Sequence, residues 1–330
     1  MSEEQPLVSI CMPAFNAERW IAVALESALG QTYADFELVL ADNGSTDRTL
    51  EIARSFDDPR IRIETATETI GAVANHNRAI RLSRGAFVKL LHADDLLHPD
   101  CVEAMVELAF SDDAIGLVFA PREVLLEEGS DPEWAERFAR PHERFERLEQ
   151  VSEGRDLFRQ LLAAGFEENW IGEPSAVLLR RRTLERVGLF NERLYQIADL
   201  ELWARIAYDH RLAFVDRYLS VYRHHEQSGT AENARARRDW FDRMWLLEGL
   251  LTIPNLTEED RRDLRRLRRT TLRQALRSQV GRLVQRRWTP ELPSYLAYRT
   301  RAGVGEQPRL HEALDHSGAA EAQQVSTPGS

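Results

Sequence analysis

Residues 71–95 read GAVANHNRAIRLSRGAFVKLLHADD, a helical pattern followed by a strand pattern. Up to Ser83 the apolar residues recur at helical spacing, and Gly85 lies where a helix is expected to end. Residues 86–91 then form a short apolar run, which is typical of a buried strand. Because the same alternation extends from residue 7 to residue 120, the sequence predicts βαβ units and an α/β fold around a mostly parallel sheet.

Polar or acidic residues follow three of the predicted strands, in Pro13–Asn16, Asp42–Asp47 and His92–Asp95. Open α/β sheets bind their ligands beyond the carboxyl ends of the strands. We therefore expect these three segments to converge on one crevice. The charged and aromatic stretch 127–170 has no clear strand periodicity and is expected to cover the cleft, and a second block of strands and helices follows it.

The segment His92-Ala93-Asp94-Asp95 places two adjacent carboxylates directly after an apolar strand. Adjacent carboxylates repel each other unless a cation or positive partners neutralise them. At the end of a strand, they suit a hard divalent ion that keeps open positions for substrate phosphates. The alternative is that one of them only caps the helix predicted to begin near Pro99.

The segment Asp42–Asp47 predicts a tight turn followed by a helix. Gly44 permits the turn, and Ser45 or Thr46 is expected to cap the helix. Asp42, at the end of the strand, can accept hydrogen bonds from a base or a ribose. A plain turn and cap without a ligand is the alternative.

Composition excludes several function classes. Lys89 is the only lysine of the 330 residues and is not preceded by Gly, so the chain has no phosphate-binding P-loop. The G-x-G-x-x-G, G-x-S-x-G and HExxH motifs are absent as well. The net charge of −11 argues against nucleic acid as a partner. With no signal-like start, no span of ~20 apolar residues and two isolated cysteines, the expected location is cytoplasmic.

The motifs together resemble family 2 glycosyltransferases, which have the GT-A fold. The stretches that carry the likeness are residues 8–18, 36–49, 71–95, 174–181, 187–192 and 199–203. The resemblance covers roughly residues 6–230 and implies a mostly parallel mixed sheet flanked by helices. We accordingly predict a catalytic domain over 1–230, a helical C-terminal appendage over 231–302 and a disordered tail over 303–330.

The resemblance implies an inverting transfer of sugar from a nucleoside-diphosphate sugar, in the first place a UDP-sugar, with Mn²⁺ or Mg²⁺ as cofactor. The acceptor would be a glycan or a lipid-linked molecule in surface polysaccharide or glycan synthesis. The implied donor-binding residues are Pro13, Ala14, Phe15, Asn16, Asp42, Asn77, His92 and Asp94. The implied metal ligands are Asp94, Asp95 and His225, where His225 could instead be an ordinary loop histidine.

Asp199 is the general base implied by the resemblance, and it could also cap the helix predicted over 200–208. Trp170, Glu173 and Glu201 are implied on the acceptor side, although a lone Trp such as Trp170 is more often part of a core. Two positions depart from the family pattern. His92 stands at the first Asp of the D-x-D motif, and Ala198 stands where a Glu commonly precedes the base. Glu201 supplies a second carboxylate, so the base could be either residue.

Two other functions remain open at this point. A metal-dependent phosphohydrolase or nucleotidyltransferase could use His92, Asp94, Asp95 and His98 as ligands. A degenerate transferase-like module could bind nucleotide or glycan without catalysis, which the departures at His92 and Ala198 would explain.

Residues 260–288 hold 11 arginines against two aspartates, a local charge of +9. On a helical wheel, the arginines are predicted to spread around most of the circumference. The segment is expected to pack on the acidic catalytic domain or on a second copy of the chain. Peripheral contact with anionic lipid at the inner face of a membrane is the alternative.

Overall fold

Strands and helices alternate along the chain, as the sequence predicts. The structure, a computed structural model, describes residues 8–126, 132–225, 239–284 and Tyr295. The strands are β1 (Val8–Ala14), β2 (Phe36–Asp42), β3 (Ile61–Thr65), β4 (Phe87–Leu90), β5 (Leu96–Leu97), β6 (Ile115–Phe119), β7 (Arg122–Leu126), β8 (Val151–Ser152), β9 (Val177–Arg180), β10 (Arg211–Phe214) and β11 (Ser220–His224). The helices are α1 (Ile21–Leu29), α2 (Thr49–Arg54), α3 (Ala72–Leu82), α4 (Cys101–Phe110), α5 (Pro132–Ala139), α6 (Gly154–Ala163), α7 (Arg181–Val187), α8 (Ala198–Asp209), α9 (Asp239–Leu250) and α10 (Glu258–Val284).

A large mixed sheet forms the centre of the fold, with strand order β3-β2-β1-β4-β9-β6-β10-β8. The first four strands in this order run parallel, and β9 joins β4 and β6 in antiparallel pairs. In the register of β1 with β2, Ala14 pairs with Asp42, so these two strands end side by side. A smaller sheet, β5-β11-β7, lies beyond the end of β4. The predicted α/β fold with a mostly parallel mixed sheet is confirmed.

The core lies on both faces of the large sheet because successive strand residues point to opposite sides. Ile10 and Met12 of β1 pack in one cluster with α1 and α4, whereas Cys11 packs in the other with α3, α6 and α8. Burial on both faces accounts for the continuous apolar runs in the sequence. It also leaves the strand ends as the places where polar side chains can collect.

Local structure differs from the sequence prediction in two places. Helix α2 begins at Thr49, and neither Ser45 nor Thr46 caps it, because the Ser45 hydroxyl instead accepts a bond from the Asn16 backbone N–H at 2.9 Å. The sequence predicts no strand over residues 220–224, yet these residues form β11. Its parallel partner β7 is nearly a hundred residues away in the chain, so no local pattern signals the pairing.

The C-terminal helices α9 and α10 add apolar side chains to the cluster around α8. Asp260 of α10 accepts a hydrogen bond from the Tyr208 hydroxyl at 2.9 Å, and Leu264 is fully buried. Within the described residues, no helix combines the length and apolar character that crossing a bilayer requires. The domain boundary at residue 230 stays a prediction, and the tail 303–330 lies outside the described residues.

Candidate active site

The ends of β1 and β2 are joined directly by side-chain bonds. Asn16 has a positive φ of 47°, a backbone region that Asn tolerates, and its side-chain oxygen accepts the Thr46 N–H at 2.9 Å. Before it, Pro13 is half-buried, Ala14 is buried and Phe15 is 48% exposed. Of these predicted donor-site residues, Phe15 therefore offers an exposed aromatic surface at the end of the strand.

Asp42 is a fully buried carboxylate with one free oxygen at the end of β2. Its Oδ2 accepts the backbone N–H groups of Gly44 and Ser45, both at 3.1 Å. Its Oδ1 has no hydrogen-bond partner among the described residues. Gly44 has a φ of +75°, and a Cβ there would lie 3.2 Å from the backbone of Glu68. A buried acceptor without a partner is costly, so Asp42 is suited to bind a ligand hydroxyl or N–H.

Asp94 lies beyond the end of β4 and remains 29% exposed. The Nε2 of His225 bonds its Oδ2 at 2.9 Å, and the His225 ring stacks on Trp20 with centroids 4.0 Å apart. Burial alone would raise the pKa of Asp94, but the hydrogen bond from His225 and the charge of His92 hold it below its usual value. The carboxylate is therefore ionised and still reachable from the cleft.

Asp95, the next residue, is 1% exposed and has partners on both oxygens. Its Oδ1 accepts the Arg223 N–H at 2.9 Å, and its Oδ2 accepts the Ser175 hydroxyl at 2.6 Å. Neither Asp94 nor Asp95 caps the following helix, which begins at Cys101, so the capping alternative is wrong. Asp95 instead fastens the smaller sheet and the start of β9 to the end of β4.

His92 and His76 form a bonded pair beside these carboxylates, with their Nε2 atoms 3.0 Å apart. The His76 Nδ1 lies 2.8 Å from the Ala72 carbonyl oxygen, so it donates there and its Nε2 accepts from His92. The His92 Nδ1 faces Asp95 at 3.4 Å. Burial would lower the pKa of His92, but the bond to Asp95 and nearby carboxylate charges raise it to about 9. Burial and the charge of His92 lower the pKa of His76 to about 3, so the proton resides on His92.

Lys89 is buried in β4 and connects this strand to the segment that contains Ser175 and Val177. Its Nζ donates to the carbonyl oxygens of Ser175 and Val177, while the Ser175 hydroxyl also accepts the His92 N–H at 3.0 Å. Burial lowers the pKa of Lys89. The single lysine of the chain thus has a structural role and holds the β9 segment against the end of β4.

The side chains of His92, Asp94 and Asp95 can each offer one ligand atom, and these atoms lie within 4.8 Å of one another. The two ring nitrogens of His92 face Asp95 and His76, and both Asp95 oxygens are engaged. Asp94 is therefore the open ligand, which fits a divalent ion bound through one carboxylate and substrate phosphates. His225 does not join this group but is the hydrogen-bond partner of Asp94.

Asp199 lies in the first turn of α8 and is half-buried. Its Oδ1 accepts the Leu200 N–H at 2.7 Å, and its Oδ2 accepts the Asn169 side-chain amide at 2.9 Å. Burial raises the pKa of Asp199 to about 6, with Glu173 adding to the rise and the Leu200 and Asn169 bonds and His92 opposing it. These influences show that Asp199 shares one electrostatic environment with the β4 cluster.

Asn169 orders the loop before β9 and was missed by the sequence analysis. Its side-chain amide bonds both Asp199 and the Gly172 carbonyl, and its oxygen accepts the N–H groups of Ile171 and Gly172. Trp203 also donates to the Gly172 carbonyl, at 2.8 Å. Gly172 has a φ of +128°, where a side chain would be strained. In the sequence, an Asn three residues before a Gly only weakly indicates an ordered loop. Its relation to the candidate base becomes visible only in the structure, where Asn169 bonds Asp199.

Glu173 is buried against Arg122, with Nε and Oε2 2.8 Å apart, and the Arg122 guanidinium lies over the Phe138 ring. Burial raises the pKa of Glu173. Trp170 is half-buried and meets the Phe145 ring edge to face at 5.2 Å. Glu173 belongs to the Asp199 side of the cleft, whereas Trp170 packs against the core.

Asn77 and Glu201 are the predicted site residues that the structure does not bring to the cleft. The Asn77 amide is fully buried and bonds Phe190 and Glu192, so it joins α3 to the segment after α7. Glu201 is also fully buried, in an ion pair with Arg205 at 3.0 Å. Both side chains are used within the protein because each faces inward on its helix, which spacing in the sequence does not reveal.

The sequence matches the model of "Glycosyl transferase family 2" over residues 9–188. Uncharacterized protein MT1568 of Mycobacterium tuberculosis is 34% identical over 250 residues, which are 76% of this chain and 77% of that protein. WfgD of Escherichia coli, a UDP-Glc:alpha-D-GlcNAc-diphosphoundecaprenol beta-1,3-glucosyltransferase, is 36% identical over 102 residues. That match spans 31% of this chain and 40% of WfgD.

Two solved structures share the fold. S. aureus TarS 1-349 in complex with UDP-GlcNAc has a TM-score of 0.61 at 17% identity, over 81% of this chain and 71% of that one. The mannosyltransferase PcManGT from Pyrobaculum calidifontis, in complex with GDP-Man and Mn²⁺, has a TM-score of 0.56 at 18% identity, over 91% and 81%. At these identities the likeness establishes the architecture, and it confirms the predicted GT-A fold.

Proposed function

Because this chain belongs to glycosyl transferase family 2 and is therefore a glycosyltransferase, we propose that it transfers a sugar from a UDP-sugar to a hydroxyl of a glycan or lipid-linked acceptor, with inversion. The observation that carries this proposal is that two kinds of carboxylate lie in the electrostatic environment of His92. Asp94 has a lowered pKa beside two histidines, and Asp199 has a pKa raised to about 6. Carboxylates whose pKa values are pushed apart indicate different chemical roles.

The donor would lie across the ends of β1, β2 and β4. The free Oδ1 of Asp42 can accept a hydrogen bond from the base or the ribose, and Phe15 offers an aromatic surface beside it. TarS and PcManGT, which share the fold, were solved with UDP-GlcNAc and GDP-Man. These observations support a nucleoside-diphosphate sugar as the donor, and a UDP-sugar is our first choice.

Asp94 would hold a divalent ion, Mn²⁺ or Mg²⁺, together with the donor diphosphate. PcManGT was solved with Mn²⁺, and the ionised, partly exposed carboxylate of Asp94 supports an ion here. When bound, such an ion stabilises negative charge on the leaving diphosphate. His92 adds a positive charge at the same place, while His225 keeps the Asp94 carboxylate ionised and oriented.

Asp199 would act as the general base. The acceptor hydroxyl oxygen bonds the anomeric carbon, its proton passes to Asp199, and the bond from that carbon to the diphosphate breaks with its electron pair leaving on phosphate. Attack from the face opposite the leaving group inverts the anomeric configuration. The pKa of about 6 keeps Asp199 ionised near neutral pH and close to the optimum for proton transfer.

A lipid-linked acceptor is supported by WfgD, whose name states that it acts on a diphosphoundecaprenol-linked GlcNAc. A related acceptor would place this enzyme in the synthesis of a surface glycan. The family membership replaces the phosphohydrolase and nucleotidyltransferase alternatives, and the non-catalytic alternative as well.

A thermal-shift screen of UDP, GDP and their sugars, each with and without Mn²⁺, tests the donor and the ion. A ligand that binds only the folded protein raises its stability by about 2.7 kcal/mol at a hundredfold excess over its Kd. We expect the largest thermal shift for a uridine nucleotide with metal. In a separate transfer assay with an added acceptor, we expect a product whose anomeric configuration is inverted. Retention of configuration, or release of phosphate instead of transfer, would overturn the proposal.

A further inference from the structure

The arginines of α10 whose side chains are described lie on one half of the helix, opposite its buried side. Arg261 donates to the Leu251 carbonyl, and Arg268 pairs with Glu248 at 3.3 Å, so these two turn toward the protein. Among the described side chains of α10, the exposed arginines are Arg262, Arg265, Arg266, Arg269, Arg273 and Arg277, which we call the arginine face. At 100° per residue they occupy about a third of the helix circumference. The sequence prediction that arginines spread around most of the helix is wrong for the exposed ones.

Nothing described in the protein neutralises the arginine face. No side chain of its six members has an ion pair or hydrogen bond to another residue in the described part of the chain. Residues 264–277 contain no Asp or Glu, and the acidic residues of α10 lie before them. Four of these arginines and Glu258 line a surface hollow of about 380 Å³. The positive charge is therefore concentrated, unpaired and open to a partner.

Packing of α10 on the catalytic domain does not account for this face. The opposite side of the helix makes those contacts, through Asp260 to Tyr208 and Arg159 and through the buried Leu264. The expected packing on the acidic catalytic domain thus uses one side of α10 and leaves the arginine face outward. The arginine face is therefore available to a partner outside this fold.

A second copy of the chain is a poor partner for the arginine face. In a twofold dimer the face would meet its own copy, and six like charges would oppose six. Interface cores are depleted of charged residues, and the only large apolar side chain exposed on α10 among the described residues is Leu276. Guanidinium groups bind phosphate oxygens in pairs of hydrogen bonds. The chemistry of the face therefore matches a surface dense in phosphate.

We propose that the arginine face docks this enzyme on an anionic phospholipid bilayer. The inference rests on the proposed function for its purpose, since a lipid-linked acceptor lies at a membrane. The net charge of −11 would repel such a surface, but charges farther than a Debye length of about 8 Å are largely screened at physiological salt. Attraction between the arginine face and the lipid phosphates in direct contact with it then determines whether the protein binds the bilayer.

Vesicle flotation of the full chain tests this directly. One vesicle preparation is phosphatidylcholine alone, and the other is equal parts phosphatidylcholine and phosphatidylglycerol. The test variant is R262Q/R266Q/R269Q, and the matched control R54Q/R84Q/R147Q changes three exposed arginines elsewhere. Both variants carry the same net charge, so only the position of the charge differs.

The parent and the control are expected to float with the anionic vesicles and not with the neutral ones. Partitioning of the test variant should be roughly 100-fold weaker, because each basic residue near an anionic surface contributes roughly a factor of five. Unchanged UDP-induced thermal shifts in the test variant would show that its nucleotide site is intact. Vesicle binding without any sugar transfer would leave the inference standing while the proposed function fails.

Four results would overturn the inference. Equal loss in both variants would mean that net charge matters and the arginine face does not. Equal binding to neutral vesicles would point to an apolar contact. A dimer in size-exclusion chromatography that only the test variant loses, or binding to duplex DNA in place of vesicles, would assign the face to a second copy or to nucleic acid.

Discussion

The end of β4 and the start of α8 each carry an aspartate, but the two carboxylates are in opposite electrostatic settings. Asp94 accepts a bond from His225 and lies near the imidazolium of His92, which keeps its pKa low. Asp199 receives hydrogen bonds from the Leu200 N–H and the neutral Asn169 amide, and burial raises its pKa to about 6. Asp94 is thus suited to carry a fixed negative charge, whereas Asp199 is suited to proton transfer.

This difference shows how a single cleft divides the work of sugar transfer. A permanently ionised carboxylate can hold cations and diphosphate but is a weak base, because its proton affinity is low. A carboxylate with a raised pKa takes a proton readily and is a poor anchor for an ion. The following predictions test whether the two regions have the separate roles that their environments indicate.

The largest effect is expected for D199N. Asparagine keeps the size and the bond to the Leu200 N–H but cannot take the acceptor proton, so kcat should fall by about 10² to 10⁴. The donor Kd should stay near the parental value, since the base acts on the acceptor side. Steady-state kinetics and isothermal titration with UDP measure the two quantities separately.

E201Q is the matched control for that variant, because it makes the same chemical change two residues away. Glu201 is buried with Arg205, and removal of one partner of such a pair costs about 3–5 kcal/mol of stability. We therefore expect a lower Tm but near-parental transfer per folded molecule. Loss of transfer confined to E201Q would move the base role to Glu201.

D94N should abolish the extra stabilisation that Mn²⁺ gives to UDP binding. The parent is expected to gain about 2.7 kcal/mol more when the metal-nucleotide complex is a hundredfold above its Kd. Thermal shifts with and without Mn²⁺ measure the difference, and D57N serves as a control because Asp57 is exposed. If nucleotide binding ignores both the metal and D94N, the ion does not act at the end of β4.

The transfer rate should depend on pH through Asp199. Below its pKa of about 6 the carboxylate is protonated and cannot act as a base, so kcat should fall about tenfold per pH unit on the acid side. Above that pH the rate should reach a plateau. A kcat profile at saturating donor and acceptor checks this, and an acid limb near pH 4 would show that burial does not tune the base.

The smallest effect is expected for N169S, which removes the amide that bonds the charged form of Asp199. Its loss should raise the pKa of Asp199, so the acid limb should move upward by about half a unit to one unit. The rates of parent and variant should then converge at alkaline pH. W203F is the control, because it removes the hydrogen bond to the Gly172 carbonyl but none of the bonds to Asp199. It should therefore change kcat by the same factor at every pH and leave the acid limb in place.

Much of the architecture was predictable from local patterns. The alternation of short apolar runs with helical segments identified the sheet, because strands buried on both faces must be continuously apolar. The polar segments after β1, β2 and β4 were expected at one crevice, and the structure joins Asn16 to Thr46 and brings Asp94 and Asp199 into one electrostatic environment. The predicted donor, metal and base roles stay predictions until they are measured.

The assignments that needed the tertiary structure concern residues that the sequence treats alike. Asp94 and Asp95 are adjacent, yet Ser175 and Arg223, far along the chain, bury one of them and leave the other open. In α8, Asp199 and Glu201 are two residues apart, and the helix turns one to the cleft and the other to Arg205. Asn169 has no recognisable motif and acts only through its distance to Asp199.

The sequence by itself therefore determined the alternation of strands and helices up to residue 120 and the resemblance to the family, because those depend on periodicity and on short motifs. The tertiary structure alone decided which carboxylate is free, which one has a raised pKa and which arginines of α10 remain unpaired. Those properties depend on burial and on partners brought together from distant parts of the chain. The pKa and the solvent exposure of a side chain depend on its neighbours in the folded protein, and a local stretch of sequence does not specify those neighbours.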